Sequence, residues 1–194
     1  MPILKFFTGP MFAGKTTALL KEYEAYSGGK LIFAPEIMPS AYETHDGHKV
    51  TPWRFKSALE IPEELQSIPT VKGVFIDEAQ FFGEELPTAV SKLLQRGLDV
   101  FIAGLYTDYK RDIWPAMEAL LKMPGADVQF LFAKCHYCKG TAQYSYRIAL
   151  ESDQVLLGAE DAYRPVCGDC FAAMDELKKY VLEKKALDKK SRKD

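Results

Sequence analysis

Residues 9–16 have the types and spacing of a phosphate-binding loop. They read Gly-Pro-Met-Phe-Ala-Gly-Lys-Thr and fit the pattern G-x-x-x-x-G-K-[ST]. Gly9 and Gly14 allow the backbone to curl so that several N–H groups point at one anion. Lys15 can reach the β- and γ-phosphates of a nucleotide, and the Thr16 hydroxyl can bind Mg²⁺. The nucleotide site predicted from this motif comprises Gly9, Pro10, Met11, Phe12, Ala13, Gly14, Lys15, Thr16 and Thr17.

The elements on either side of this loop support the interpretation. Residues 3–7 are typical of a short buried strand, and residues 15–26 place apolar side chains near helical spacing. A glycine-rich turn that fits the motif by chance is the alternative, but a strand, a loop and a helix in this order favour phosphate binding. We expect Lys15 to be an exposed loop residue that contributes little to packing.

Two adjacent carboxylates could supply further chemistry. Residues 71–78 predict a mostly apolar strand that ends in Asp77 and Glu78. In phosphate-loop enzymes an acid at such a position lies beside the loop and holds Mg²⁺, and Asp77 is the candidate. Glu78 is one residue further and points elsewhere, so it could orient or deprotonate a nucleophile. The alternative is that both acids cap the next helix.

Four cysteines form two C-x-x-C pairs, Cys135 with Cys138 and Cys167 with Cys170. In a reducing compartment this pattern favours a metal over disulfides, and four thiolates suit tetrahedral Zn²⁺. The gap between the pairs exceeds the common 15–20 residues of zinc ribbons, but a hairpin and a loop would fill it. Free thiols or a redox pair are the alternatives, and His136 is not expected to be a ligand.

The elements that must position these groups alternate between strands and helices, which predicts an α/β fold with a mostly parallel sheet flanked by helices. Three segments are expected: an ATP-binding domain over 1–133, a zinc-binding domain over 134–180 and a charged, disordered tail over 181–194. The expected strands are 3–7, 30–34, 71–78, 99–105, 127–132 and 140–148, and the expected helices are 15–26, 59–65, 84–96, 114–122 and 171–187.

The composition excludes several classes of protein. Of the 194 residues 47% are hydrophobic, which is enough for a core and argues against a disordered chain. A net charge of −2 disfavours a nucleic-acid-binding protein, which usually needs a basic face. The sequence shows neither room for a signal peptide nor an apolar run that could span a membrane. We therefore expect a cytoplasmic protein without nucleic acid or membrane partners.

In combination, four motifs resemble the thymidine kinase family of the human cytosolic and bacterial type (type II). They are the G-P-M-F start of the phosphate loop, T-H-D-G at 44–47, D-E-A-Q-F-F at 77–82 and G-A-E-D-A-Y at 158–163. The resemblance extends roughly from Leu4 to Phe171. It implies a phosphate-loop NTPase of RecA-like fold, followed by a small zinc-binding domain whose lasso loop covers the substrate.

The resemblance also implies an activity, the transfer of the ATP γ-phosphate to the 5′-hydroxyl of thymidine to give dTMP. Glu78 would be the general base, and Asp46, Asp77 and Gln80 would belong to the ATP–Mg²⁺ site. Tyr109 would stack on thymine, and Tyr163 would close over it. Structural Zn²⁺, a homotetramer and feedback inhibition by dTTP are implied as well. The implied substrate-binding residues are Phe81, Leu105, Tyr109, Ser145, Gly158 and Tyr163.

Some positions depart from the family pattern, and two rival functions remain. Residues 36–39 lack the family's arginine before T-H-D, Ile113 and Trp114 replace a Pro-Phe pair, and Tyr106 replaces an acid or arginine. One rival is a kinase for another deoxynucleoside. The other is a non-catalytic ATP-dependent switch that binds nucleic acid through the cysteines, but it would not need Glu78.

Overall fold

The computed structural model describes residues 1–38, 42–43, 49–148 and 162–190. The strands are β1 (Leu4–Thr8), β2 (Gly29–Pro35), β3 (Tyr42–Glu43), β4 (Lys49–Val50), β5 (Trp53–Phe55), β6 (Val71–Ile76), β7 (Asp99–Gly104), β8 (Ala126–Phe130), β9 (Ala133–Lys134), β10 (Thr141–Ala142), β11 (Tyr144–Arg147) and β12 (Tyr163–Val166). The helices are α1 (Lys15–Ala25), α2 (Glu60–Glu64), α3 (Leu86–Gln95), α4 (Pro115–Leu121) and α5 (Gly168–Lys190). None of the helices in the described part of the chain is long and apolar enough to cross a membrane.

Six strands form one sheet in the order β5-β2-β6-β7-β1-β8. All the pairings within it are parallel. The strand before the phosphate loop, β1, lies between β7 and β8, and the strand before the two acids, β6, lies on the other side of β7. The predicted α/β fold of RecA-like type is therefore confirmed.

Both faces of this sheet are buried, as expected for parallel strands covered by helices. Neighbouring residues of one strand face opposite sides, so Phe6 and Phe7 belong to different core clusters. Phe6 packs in the cluster that includes Leu93 of α3 and Met117 of α4, whereas Phe7 packs with Leu19 of α1. Together these strands, with α1 to α4, form what we call the sheet unit.

A second, smaller unit follows β8. Two antiparallel pairs, β9 with β10 and β11 with β12, adjoin the start of α5. Its core is a cluster of five buried residues, Cys135, Ala142, Tyr146, Val166 and Phe171. We call β9 to β12 and α5 the cysteine unit.

Several element ends differ from the sequence prediction. The helix predicted over 84–96 begins only at Leu86, because a 3₁₀ segment, Ala79–Glu85, precedes it and Gly83 adopts φ 67° inside that segment. The strand predicted over 140–148 is divided into β10 and β11, which pair with different partners. The last helix runs over Gly168–Lys190 rather than 171–187.

Candidate active site

The phosphate loop connects β1 to α1, as the motif predicts. Gly9 has φ 149°, and a methyl group there would lie 2.1 Å from the Leu131 carbonyl oxygen, so only glycine fits. Gly14, at φ 80°, directly precedes α1, and no side chain of the described residues caps that helix. The N–H groups of its first turn therefore remain available for an anion.

The Lys15 side chain is buried, so the expectation of an exposed loop lysine is wrong. Only 7% of Lys15 is exposed, and its Nζ donates to the Pro10 carbonyl oxygen at 2.8 Å. Burial lowers the pKa of Lys15, while the nearby Glu78 and Asp77 carboxylates act in the opposite direction. The phosphate loop curls around the Lys15 side chain, and the Pro10 carbonyl holds the ammonium within the loop.

Thr16 and Asp77 form the pair expected of a magnesium site. The Thr16 hydroxyl donates to Asp77 Oδ2 at 2.9 Å, and Asp77 is buried. Burial, together with the charge of Glu78, raises the pKa of Asp77 to about 7, against the Thr16 hydrogen bond, which lowers it. The half-buried hydroxyl of Thr16 and the buried carboxylate of Asp77 are hard oxygen ligands that suit Mg²⁺.

Glu78 diverges from Asp77 and does not serve as a cap. Its backbone adopts the left-handed conformation, with φ 48° and ψ 40°, and no side-chain cap bond forms at the start of the following 3₁₀ segment. The side chain of Gln80 donates to Glu78 Oε2 at 2.7 Å. The two acids thus face different neighbours, and the alternative that both cap a helix does not describe them.

The loop after β7 presents the aromatic residue expected at the nucleoside. Asp108 Oδ1 accepts from the backbone N–H groups of Lys110 at 2.8 Å and Asp112 at 3.0 Å, which fixes a tight turn. Tyr109 lies inside this turn. Its ring centroid is 4.7 Å from the guanidinium of Arg147.

Arg147 brings two predicted substrate residues together. This buried arginine of β11 also lies 5.4 Å from the ring centroid of Tyr163, so its guanidinium contacts the rings of both Tyr109 and Tyr163. Arg147 was not among the residues predicted from the sequence. The signal was its position two residues after Ser145, on the same face of one strand.

Ser145 contacts the phosphate loop directly. Its Oγ accepts from the Met11 backbone N–H at 2.8 Å, across the two units. Arg111 makes a further contact between the units, because its guanidinium lies 4.7 Å from the ring centroid of Phe171. Arg111 was not predicted from the sequence, and no local pattern indicates this contact.

The other predicted residues have different surroundings. Phe81 packs edge-to-face on Trp114 with ring centroids 6.0 Å apart, and the Leu105 backbone N–H donates to Gln80 Oε1. Asp46 and Gly158 lie outside the described residues, as do the T-H-D-G motif and most of the predicted lasso loop.

All four cysteines meet in one cluster. Their sulfur atoms lie within 4.8 Å of one another, and those of Cys138 and Cys167 are 3.6 Å apart. A tetrahedral site with Zn–S bonds of ~2.3 Å has sulfur atoms about 3.8 Å apart. A redox pair would need only two thiols, so the meeting of all four favours a metal, and the donor set fits zinc.

Taken together, the fold and the site define a phosphate-loop enzyme that binds a nucleoside triphosphate beside two acids. Comparison with known proteins identifies the family. A sequence profile described as Thymidine kinase matches residues 2–171. The chain belongs to the thymidine kinase family, which confirms the predicted class of enzyme, a kinase acting on ATP and thymidine.

Individual relatives cover most of the chain. The thymidine kinase of Mycoplasma mobile is 30% identical over 183 residues, covering 91% of this chain and 90% of that protein. The thymidine kinase of Bacteroides thetaiotaomicron is 31% identical over 175 residues, covering 87% and 86%. That of Oryza sativa is 35% identical over 170 residues, covering 82% and 62%. Among solved structures, one of Pif1 helicases shares 17% identity at a TM-score of 0.35, too distant to bear on function.

Proposed function

We propose that this site transfers the γ-phosphate of ATP to the 5′-hydroxyl of thymidine with Glu78 as the general base. The observation that carries the proposal is the divergence of the two acids beside the phosphate loop. Asp77 accepts from Thr16, whereas Glu78 accepts from Gln80. One carboxylate is thereby assigned to the metal and the other to the nucleophile, as phosphoryl transfer requires.

On the ATP side, the loop amides and the N-terminus of α1 bind the phosphates, and Lys15 Nζ leaves the Pro10 carbonyl to contact them. Thr16 and Asp77 would hold Mg²⁺, with Asp46 as a further member of the ATP site. Gln80 was predicted for the same site, but its side chain bonds to Glu78 and to the Leu105 backbone. Mg²⁺ held there would neutralise developing phosphate charge. The predicted ATP residues from Gly9 to Thr17 keep this assignment.

On the thymidine side, we propose that the base binds between the loop of Tyr109 and the segment that leads into Tyr163. Arg147 supports both tyrosine rings, which favours a shared function for them. The bond from the Met11 N–H of the phosphate loop to Ser145 Oγ supports a place for Ser145 near both proposed substrates. Phe81, Leu105 and Gly158 complete the proposed set.

Zn²⁺ held by Cys135, Cys138, Cys167 and Cys170 is proposed to be structural. When bound, it would fix the shape of a unit that buries few apolar residues. We further propose the domain limits 1–133 and 134–180. Residues 181–190 of the charged tail expected over 181–194 continue α5, so that part is helical rather than disordered. A cytoplasmic location, a homotetramer and feedback inhibition by dTTP are further proposals, the last two based on the resemblance to the family.

The test compares the parent enzyme with Glu78→Gln and Asp77→Asn while Mg²⁺ is titrated. The amide of Glu78→Gln keeps the size of the side chain but cannot take a proton, so kcat should fall about 10²–10⁴-fold. The KM for thymidine should change little, because the thymine ring is proposed to bind near Tyr109 and Tyr163 and not at Glu78. Excess Mg²⁺ should partly rescue Asp77→Asn and should not rescue Glu78→Gln.

Two results would contradict the proposal. Rescue of Glu78→Gln by Mg²⁺, without rescue of Asp77→Asn, would mean that the two roles are reversed. The parent enzyme also serves as a control for substrate identity when it is assayed with each of the four deoxynucleosides. Faster turnover of deoxycytidine or deoxyguanosine than of thymidine would refute the substrate assignment.

A further inference from the structure

Gln80 connects the ends of two strands that bear different parts of the proposed site. It follows β6 in the 3₁₀ segment Ala79–Glu85, and only 1% of it is exposed. Its Nε2 donates to Glu78 Oε2 at 2.7 Å. Its Oε1 accepts from the backbone N–H of Leu105, the residue after β7, at 2.9 Å. One buried amide therefore bridges Glu78, the proposed general base, and the start of the loop after β7 that carries Tyr109.

The Leu105 backbone determines which way this amide points. A backbone N–H can only donate, so the oxygen of the Gln80 side chain has to face Leu105. The NH₂ group must then face Glu78, where it can only donate. Both hydrogen bonds therefore run in one direction: the Leu105 N–H donates to Gln80, and Gln80 donates to the Glu78 carboxylate.

The surroundings leave the amide little freedom. A methyl group on Gly104 would lie 2.9 Å from Gln80 Oε1, so the bridge depends on a glycine at the end of β7. The backbone of Glu78 has φ 48°, a conformation that residues other than glycine rarely adopt. It persists only where several contacts enforce it. Gln80 supplies one of these contacts.

We infer that Gln80 is a positioning residue for Glu78, an inference that rests on the proposed function. By occupying Oε2, it leaves Oε1 of Glu78 to accept the proton of the substrate hydroxyl. By bonding to Leu105, it ties the carboxylate to the loop that carries Tyr109. The Glu78 carboxylate and the loop that carries Tyr109 are thus held at a fixed distance from each other. This matters because a misplacement of ~1 Å can cost 10²-fold in rate.

Two substitutions test this inference. Gln80→Met keeps the approximate size and removes both bonds, whereas Gln80→Glu keeps an acceptor for Leu105 and faces Glu78 with an oxygen instead of a donor. Both should lower kcat about 10–100-fold while the KM values for ATP and thymidine change less than about threefold. Gln95→Met, the same change on the exposed surface of α3, is the matched control and should behave like the parent.

A double-mutant cycle separates positioning from a merely structural role. If Gln80 acts through Glu78, Gln80→Met should change kcat less than about twofold when Glu78 is already glutamine. Independent, multiplying losses would overturn the inference. The thermal midpoint of each variant is measured in parallel, and if Gln80→Met does not fold, Gln80→Glu decides, because it can retain the Leu105 bond.

Failure of this inference can be distinguished from failure of the proposed function. If Glu78→Gln loses activity as expected and both Gln80 variants keep the parent kcat, only the role of Gln80 is refuted. If Glu78→Gln itself keeps the parent kcat, Glu78 is not the base, and both statements are refuted.

Discussion

The sheet unit and the cysteine unit hold their shapes by different physical means. The sheet unit buries apolar clusters on both faces of a six-stranded sheet. The cysteine unit has a core of five residues, one of them a proposed zinc ligand, and it contacts the sheet unit through Ser145, Arg147 and Arg111. A core of that size cannot by itself offset the entropy of ordering the chain.

This difference coincides with a division of chemistry. The groups proposed for phosphate and metal, Lys15, Thr16, Asp77 and Glu78, belong to the sheet unit, where packing fixes them. Part of the proposed nucleoside site belongs to the cysteine unit, whose shape would depend on the proposed zinc and on the neighbouring unit. Damage to the sheet-unit site should therefore stop the reaction without unfolding the chain, and damage to the zinc site should first weaken nucleoside binding.

The largest effect is expected for Lys15→Met. The methionine keeps the length of the buried side chain but removes the charge that is proposed to contact phosphate, so kcat should fall by about 10³-fold or more. The thermal midpoint should stay the same or rise, since a buried ammonium is costly without its ligand. Steady-state kinetics and thermal denaturation check both expectations.

The control for that prediction is Lys21→Met, which removes an exposed lysine from the same helix. It should retain the parent activity. Activity of Lys15→Met within tenfold of the parent would refute the phosphate-binding role of Lys15.

A smaller and more selective effect is expected for Cys167→Ser. The loss of one thiolate should lower bound zinc from about one per chain, as measured by elemental analysis, and loosen β12. We expect the KM for thymidine to rise about tenfold or more before the KM for ATP changes.

Zinc removal from the parent, followed by its return, is the matching control. Chelation should reproduce the rise in thymidine KM, and added Zn²⁺ should reverse it. A preparation of the parent that contains no zinc before chelation would count against the metal assignment. Equal losses for thymidine and ATP would show that the two units do not divide the site as proposed.

The sheet unit was largely predictable from the sequence because its signals are local. Gly9 and Gly14 allow backbone angles that few other residues adopt, and apolar runs alone indicate the buried parallel strands. The burial of Lys15 was not predictable, since it depends on the loop curling back to bring the Pro10 carbonyl near. The sequence places Arg147 on the same strand face as Ser145 but does not show its contacts, because Tyr109 and Tyr163 are distant in sequence and meet it only in the folded chain.

The smallest effect is expected at Asp77, whose buried negative charge destabilises the sheet unit. Folding raises the pKa of this carboxyl from 3.8 to about 7 through burial and the charge of Glu78. Between about pH 4 and 7 the unfolded chain has therefore released a proton that the folded chain keeps. The stability that this group contributes is complete below pH 4 and is lost as the pH rises through 7.

Asp77→Asn removes the carboxyl and with it this pH-dependent loss. In Mg²⁺-free buffer the thermal midpoint of Asp77→Asn should exceed that of the parent at pH 8, by about 2 °C or more, and the difference should shrink toward pH 4. No chelator is added, because it would also remove zinc. Mg²⁺ with ATP should narrow the difference at pH 8, since the bound ion stabilises the charged form only in the parent. A difference independent of pH, or a less stable Asp77→Asn at pH 8, would contradict the assigned burial of this charge.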